Sequence, residues 1–317
     1  MRHLPKPALS RIAAMFCAAA LLCTGTDAAE PANDLKPVVV APGVHAIVGP
    51  LGQRDADNLG NNATFGVIET DAGAVLVDPG GSWRGAQALD IAIQDITDKP
   101  IVAVINTGGQ DHRWLGNGYF RDKGAKIYAS EDALADQKER ADMQFMVLSN
   151  LIGTEGLAGT EAVYADTIVR EETTLTIGET QIILIPAGHA HTPGDMLVWL
   201  PQSRVVFTGD VVYLNRLLGV MPFSSSSSWL DAFERLESLD PTTVVPGHGA
   251  PAPLAKAQAQ TRDYLRNLRE EIGALISQGG TIQDAPGVDQ AAFAAIPNFD
   301  ILAGRNAQQV YQEMEWE

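Results

Sequence analysis

The chain has 317 residues, 45% of them hydrophobic, and its 22 basic against 39 acidic side chains give a formal charge of −17 at pH 7. That length supports a large core without disulfide staples, and both cysteines, Cys17 and Cys23, fall near the N-terminus. An acidic surplus of this size repels a phosphate backbone, which argues against nucleic acid and leaves a small-molecule substrate as the expected partner.

Residues 1–28 read as an export signal: Arg2, Lys6 and Arg11 precede an apolar run over 12–22, and small residues follow through Ala28 and Ala29. The run is too short for a bilayer span. No membrane anchor is therefore expected, and the mature chain, beginning near Ala29, would be periplasmic or secreted and free of thiols. Downstream, the segments 38–48, 63–77, 101–105, 173–186, 196–200, 204–208 and 243–245 are rich in Val, Ile and Thr and are predicted strands. Helical spacing predicts helices over 84–96, 131–148, 228–239 and 253–278, with a terminal helix over 305–316 after a linker at 286–301. The serine run at 224–228 leads into Trp229 and reads as a loop ending in a helix cap rather than a nucleophile elbow. Strands interleaved with helices in two successive sets predict an α/β fold with sheets between helical layers.

In five places an apolar strand stops at a turn carrying a polar residue. These are Asp78 after Val77, Asp111 and His112 after Ile105, His189 and His191 after Pro186, Asp210 after Phe207, and His248 after Val245. If the strands are neighbours, their ends gather these groups where α/β sheets commonly bind ligands. Setting aside His3, four of the five remaining histidines sit in these turns, whereas His45 lies in a strand pattern and reads as half-buried and structural. Imidazoles and carboxylates in such turns point to a metal site.

The resemblance these pieces carry is specific in combination. Pro42-Gly43-Val44-His45, Asp78-Pro79-Gly80, Asp111-His112 with Gly116-Asn117, His191-Thr192-Pro193-Gly194-Asp195, Phe207-Thr208-Gly209-Asp210 and Pro246-Gly247-His248-Gly249 together resemble the metallo-β-lactamase superfamily over roughly residues 40–250. The resemblance implies a four-layer αββα sandwich formed by 29–252, with 253–317 as a helical extension packed on the same domain. Family members with two metals carry His-x-His-x-Asp-His. Registering its last two residues on Asp111 and His112 puts Thr107 and Gly109 where the first two histidines stand. The first metal would then keep only His191 and Asp210, while the second set, Asp111, His112, Asp210 and His248, is complete. One zinc in the second-type site, with a solvent position left open, is the expectation; iron or manganese would fit the same donors. His189 and His191, two residues apart, are candidates for a rebuilt second site with Asp210, although in a turn they read better as a free pair supporting the metal's ligands.

The implied chemistry is hydrolysis, since zinc can bring the pKa of water to about 7. Asp111 would bind metal and orient the water, and His191, released from its usual metal duty, would either shuttle a proton to the leaving group or anchor its loop by hydrogen bonds. Acyl, thioester, lactam and lactone bonds are the implied substrates. The run from Asn106 to Asn117 is similar to a periplasmic subgroup associated with bacterial sulfur oxidation and quinoprotein systems. That opens an alternative, a non-catalytic metal- or cofactor-binding accessory protein with a periplasmic redox partner. Asp195 is expected to fasten the turn bearing His191, and Asp78 to support the site by hydrogen bonds. Arg113 and Trp114 either face substrate or pack beneath it.

Overall fold

The computed structural model describes residues 35–317 along with Met1 and His3; apart from those two residues, the export signal read at 1–28 lies outside the described residues. Seven strands line up in chain order to form the first sheet: β1 (Lys36–Ala41), β2 (Val44–Val48), β3 (Thr64–Thr70), β4 (Gly73–Val77), β5 (Ile101–Ile105), β6 (Lys126–Ser130) and β7 (Thr167–Val169). The first four meander antiparallel, and β4 to β7 run parallel because α1 (Trp83–Gln94), α2 (Asn117–Asp122) and α3 (Glu131–Gly156) supply crossovers between them. The second sheet takes β8 (Thr173–Ile177), β9 (Thr180–Gly188), β10 (Asp195–Leu200), β11 (Val205–Phe207) and β12 (Thr243–Val245) in the reverse spatial order, with only β11 and β12 parallel. Its helices are α4 (Ser226–Ser238), the continuous rod of α5 (Leu254–Ala257), a π-helical turn (Gln258–Arg262) and α6 (Asp263–Ser277), and then α7 (Phe299–Met314).

Side-chain alternation along the strands explains the layering. Val75 and Val77 of β4 join Met196, Val198 and Leu200 of β10 in the interior between the sheets, while Ala74 and Leu76 pack with Ala86, Leu89 and Ile93 of α1. Leu197 and Trp199, the odd residues of β10, join Trp229 and Phe233 of α4, Leu268 and Ile272 of α6, and Ala307 and Val310 of α7. The result is α, β, β, α, with the helices after residue 253 sharing the core of the second sheet. Gly66 of β3 lacks a side chain for a steric reason: a Cβ there would lie 2.3 Å from the ring of Phe207 across the sandwich. Serines cap three of the helices, as Ser82, Ser130 and Ser225 each accept a hydrogen bond from the backbone N–H three residues on.

The segments 38–48, 63–77 and 173–186, each predicted as one strand, are the hairpins β1–β2, β3–β4 and β8–β9, α2 was not predicted, and three further features depart from the sequence-based elements. β6 and β7 were not predicted; each is short, and β6 alternates too little for its five residues to stand out from a loop. α3 continues to Gly156, through a break at Gly153 where φ is 75°. α7 begins at Phe299, absorbing the end of the expected linker. Among the described residues no helix is long and apolar enough to cross a membrane.

Candidate metal centre

The strand ends converge as their sequence placement requires. β5 hands over to a loop and a 3-10 turn (Asp111–Arg113) bearing His112, β11 to a 3-10 turn (Gly209–Val211) bearing Asp210, and β12 to the loop bearing His248. His112, Asp210 and His248 each offer a donor atom, all within 4.8 Å of one another, and all three residues are buried. His112 Nε2 lies 3.2 Å from Asp210 Oδ2 and His248 Nε2 lies 3.1 Å from Asp210 Oδ1, with the two rings edge to face at 5.2 Å between centroids.

The far side of each ring is occupied, which aims its other nitrogen inward. His248 Nδ1 lies 2.8 Å from the carbonyl oxygen of Asn62, which can accept only an N–H, so Nε2 keeps its lone pair. His112 Nδ1 lies 3.0 Å from Asp111 Oδ1. Burial pushes the His248 imidazole well below its ordinary value, against the pull of Asp210, so the ring is neutral. Burial alone would raise the Asp210 carboxyl, but the Arg113 guanidinium and the neighbouring His112 outweigh it and keep it well below the usual carboxylate range. Two imidazoles, that of His248 neutral, and one ionised carboxylate are a donor set that suits a divalent cation of zinc type, so these residues fit the expected metal.

Asp111 stands outside this trio. Its Oδ1 accepts hydrogen bonds from Arg54 Nε at 2.9 Å and Nη2 at 2.6 Å, and from its own neighbour's backbone, His112 N, at 2.7 Å. Burial would raise its pKa, yet Arg54 and His112 hold it far below the usual range. Sequence reasoning missed Arg54, which lies in a polar loop 57 positions upstream of its partner.

Arg113 emerges as the organiser of the site. Its side chain is fully buried: Nη1 donates to Asp78 Oδ2 at 2.8 Å, Nη2 to Asp210 Oδ1 at 2.7 Å and to the carbonyl of Gly247 at 2.9 Å, and Nε to Asp210 Oδ2 at 3.2 Å. One guanidinium thus ties the ends of β4, β11 and β12 beneath the trio. Gly247 is glycine for this reason, since a Cβ would lie 2.6 Å from Arg113 Nη2 and 2.4 Å from the carbonyl oxygen of Gly209. Asp78 supports the site by accepting from Thr107 N and Oγ1, both at 2.8 Å to one or other oxygen. Trp114 packs beneath: it is buried, stacks on Tyr164 and donates to Gln144.

The place of the first metal has been refilled. A Cβ built on Gly109 would lie 1.8 Å from Asp136 Oδ2 and 3.3 Å from Arg140 Nη2, so the ion pair of Asp136 and Arg140 on α3 stands where a histidine at 109 would project. Arg140 in turn lies 3.8 Å above the ring of Phe223. Gln137 and Gln144, also on α3, donate to the carbonyls of Gly108 and Gly109, pinning the loop. His191 is buried against Tyr213 and Trp229 with Nδ1 unpartnered, and burial pushes its pKa down to about 4. His189 is exposed, its Nε2 2.6 Å from the carbonyl oxygen of Phe223, and is not brought together with His191 and Asp210 as the candidate rebuilt site required. Asp195 fastens the intervening turn: Thr192 N donates to its Oδ2 at 2.9 Å and Thr192 Oγ1 to its Oδ1 at 2.5 Å, while Gly109 N donates to Thr192 Oγ1 at 3.0 Å. His45, as its strand pattern suggested, is partly buried and pairs with Glu69 at 3.0 Å. Above the trio opens a cavity of about 170 Å³, bordered by His112, His191, His248, Tyr213 and three arginines.

The family model of the metallo-beta-lactamase superfamily matches residues 60–248, which contain the whole trio. The chain belongs to this superfamily. It is 26% identical over 183 residues to the 2,4-dinitroanisole O-demethylase subunit alpha of a Nocardioides species, covering 57% of this chain and 51% of that one. It is 24% identical over 185 residues to a metallo-beta-lactamase of Chryseobacterium indologenes, covering 57% and 69%, and 24% identical over 208 residues to a human acyl-coenzyme A thioesterase, covering 60% and 74%. Among solved structures, an inverting sec-alkylsulfatase from a Pseudomonas species superposes with a TM-score of 0.66 at 19% identity, over 88% of this chain and 50% of that one. The chain thus spans about half the length of the demethylase subunit and of the sulfatase. The superfamily's relatives include hydrolases, and the sandwich described above is its fold.

Proposed function

We propose that this protein is an exported metal-dependent hydrolase that holds one zinc ion between His112, Asp210 and His248 and acts on an acyl, thioester, lactam or lactone bond. The observation that carries the reading is the convergence of two imidazole nitrogens and an ionised carboxylate below an open cavity. The chemistry a zinc ion supplies when bound is acidification of water to a pKa of about 7 and polarisation of the bond under attack. The chain's own residues do the rest. Arg113 keeps Asp210 ionised and fixed, and Asn62 fixes the tautomer of His248. Asp111, ionised and touching the His112 ring, raises the basicity of that ligand; joining the ion as a further donor would require it to release Arg54. His191 borders the cavity as a neutral ring with a free Nδ1, placed to carry a proton between water and leaving group. The matched β-lactamase and thioesterase support an acyl-type bond, and the sulfatase extends the set to sulfate esters.

Metal analysis of the purified protein, paired with turnover of a thioester, a chromogenic cephalosporin and an alkyl sulfate, tests the reading. One zinc per chain is expected, with His248→Ala losing both zinc and turnover. Zinc-loaded protein inert toward all three would overturn it. Export predicts recovery from the periplasm with an N-terminus near residue 29.

One observation favours the accessory-protein alternative. Both oxygens of Asp210 already accept from Arg113, so the carboxylate is neutralised without an ion. Protein that stays metal-free under zinc-replete expression would select that reading.

A further inference from the structure

Thirteen arginines lie within residues 35–317, and eleven of them reach a carboxylate within 4.0 Å. In a chain so rich in acid this is expected. The two that reach none among the described residues are Arg216 and Arg305, and both border the cavity above the trio. Arg216 is partly buried, and its Nε is wholly buried with no hydrogen-bond partner. Buried donors are almost always paired, so this side chain keeps hydrogen-bonding capacity that the chain does not fill. Arg305 reaches the cavity from α7, beyond residue 248 where the family match ends, so this wall is contributed by the helical extension.

Local charge points the same way. Asp78, Asp111 and Asp210 face Arg113 and Arg54, one negative charge in excess, which a divalent cation at the trio would turn into a positive one. Nothing then balances Arg216 and Arg305. Met221 and Leu302, also on the cavity wall, offer apolar contact beside them.

We propose that Arg216 and Arg305 form an oxyanion clamp, and that the substrate is a small molecule with a short apolar body and one carboxylate, sulfate or phosphate group gripped by the two guanidinium forks. The clamp deepens the hydrolase reading and rests on it for the claim that the bound anion is substrate. The binding itself is measured without turnover.

The test is calorimetric titration of the full protein, as purified and after chelation of metal, with inorganic sulfate, inorganic phosphate and butyrate, at ionic strength held constant with chloride. The expected result is saturable binding of at least one oxyanion to both forms, with Arg216→Met and Arg305→Met each weakening it at least tenfold. Arg204→Met, which removes a surface pair with Asp240, serves as control and is expected to change nothing. Which of the three anions binds tightest separates a carboxylate from a sulfate or phosphate substrate. Should Arg216→Met fail to fold, Arg216→Lys keeps the charge but loses the fork, and weakened binding there is the expected result. Binding confined to the metal-loaded form, or unchanged in both arginine variants, overturns the clamp. Turnover of a neutral ester with no oxyanion binding would sink the clamp and leave the hydrolase reading standing; oxyanion binding without metal or turnover would do the reverse.

Discussion

Restoring the missing histidines should fail to restore the first metal, because α3 has taken its place. In the double variant Thr107→His/Gly109→His, the new Cβ at 109 meets Asp136 Oδ2 at 1.8 Å, well inside any tolerable contact. Asp136 must therefore move, and moving it breaks a buried ion pair with Arg140 whose side chains are only 4% and 11% exposed. Breaking a buried pair costs about 3–5 kcal/mol. At 107 the exchange also removes the hydroxyl that donates to Asp78, adding about 1 kcal/mol. With roughly 2–4 °C of melting temperature per kcal/mol in a domain of this size, the double variant should melt about 8–24 °C below the parent. Metal content, read by plasma mass spectrometry after dialysis, should not rise. Adding Asp136→Ser and Arg140→Ala clears the space, and that quadruple variant should regain part of the lost stability and take up a second ion. A double variant that carries two metals per chain at the parent's melting temperature would show that the α3 ion pair does not block the site.

Three further outcomes follow from the same contacts. Arg113→Met leaves Asp78 and Asp210 buried without their shared cation, so metal-free protein should lose about 3–5 kcal/mol in denaturant titration, with added zinc recovering part of it; an unchanged midpoint would remove Arg113 as the organiser. His191 is held neutral by burial with a pKa of about 4, against about 6.5 unfolded, so the unfolded chain takes a proton first as pH falls. Its contribution is therefore intact above pH 6.5 and lost as pH drops toward 4, by up to about 3 kcal/mol, and in metal-free protein His191→Gln should show a shallower acid loss than the parent. Asp111→Asn should lower zinc affinity about 10–100-fold in a chelator competition, because the carboxylate acts through the His112 ring; a loss as deep as that of His248→Ala would mean that Asp111 lets go of Arg54 to reach the ion.

The sandwich was legible because its strands follow local rules. A period of two in β4 and β10 sorts their side chains between the two faces, and the polar residue ending each central strand needs only neighbouring strands to become a site. His112, Asp210 and His248 could be gathered as candidates on that basis, while their assignment with Asp111 as a ligand set, and the supporting roles of Asp78 and Asp195, came with the family resemblance. Arg54, Arg113, Asp136 and Arg140 could not be assigned roles, and the reason is common to all four. Each acts through a contact that sequence spacing does not encode: Arg54 reaches Asp111 across 57 positions, Arg113 reaches Asp210 across 97, and the pair on α3 bears on Gly109 only because the helix packs over that loop.

These same four residues explain how the centre stays packed and charge-balanced without histidines at 107 and 109. Losing two imidazoles from a two-metal centre would leave a polar void and an excess of buried carboxylate, each costly in a low-dielectric interior. Here the void is filled by Asp136 and Arg140, which bring no net charge, while Arg113 and Arg54 supply positive charge at Asp210, Asp78 and Asp111. The buried carboxylates of the centre thus have cationic partners within the chain. A divalent ion added to it faces an Asp210 already shared with Arg113, so metal affinity should be lower than in a centre lacking that arginine, and the charge the ion brings is left for an anionic ligand to balance. Arg216 and Arg305 stand where that ligand would enter.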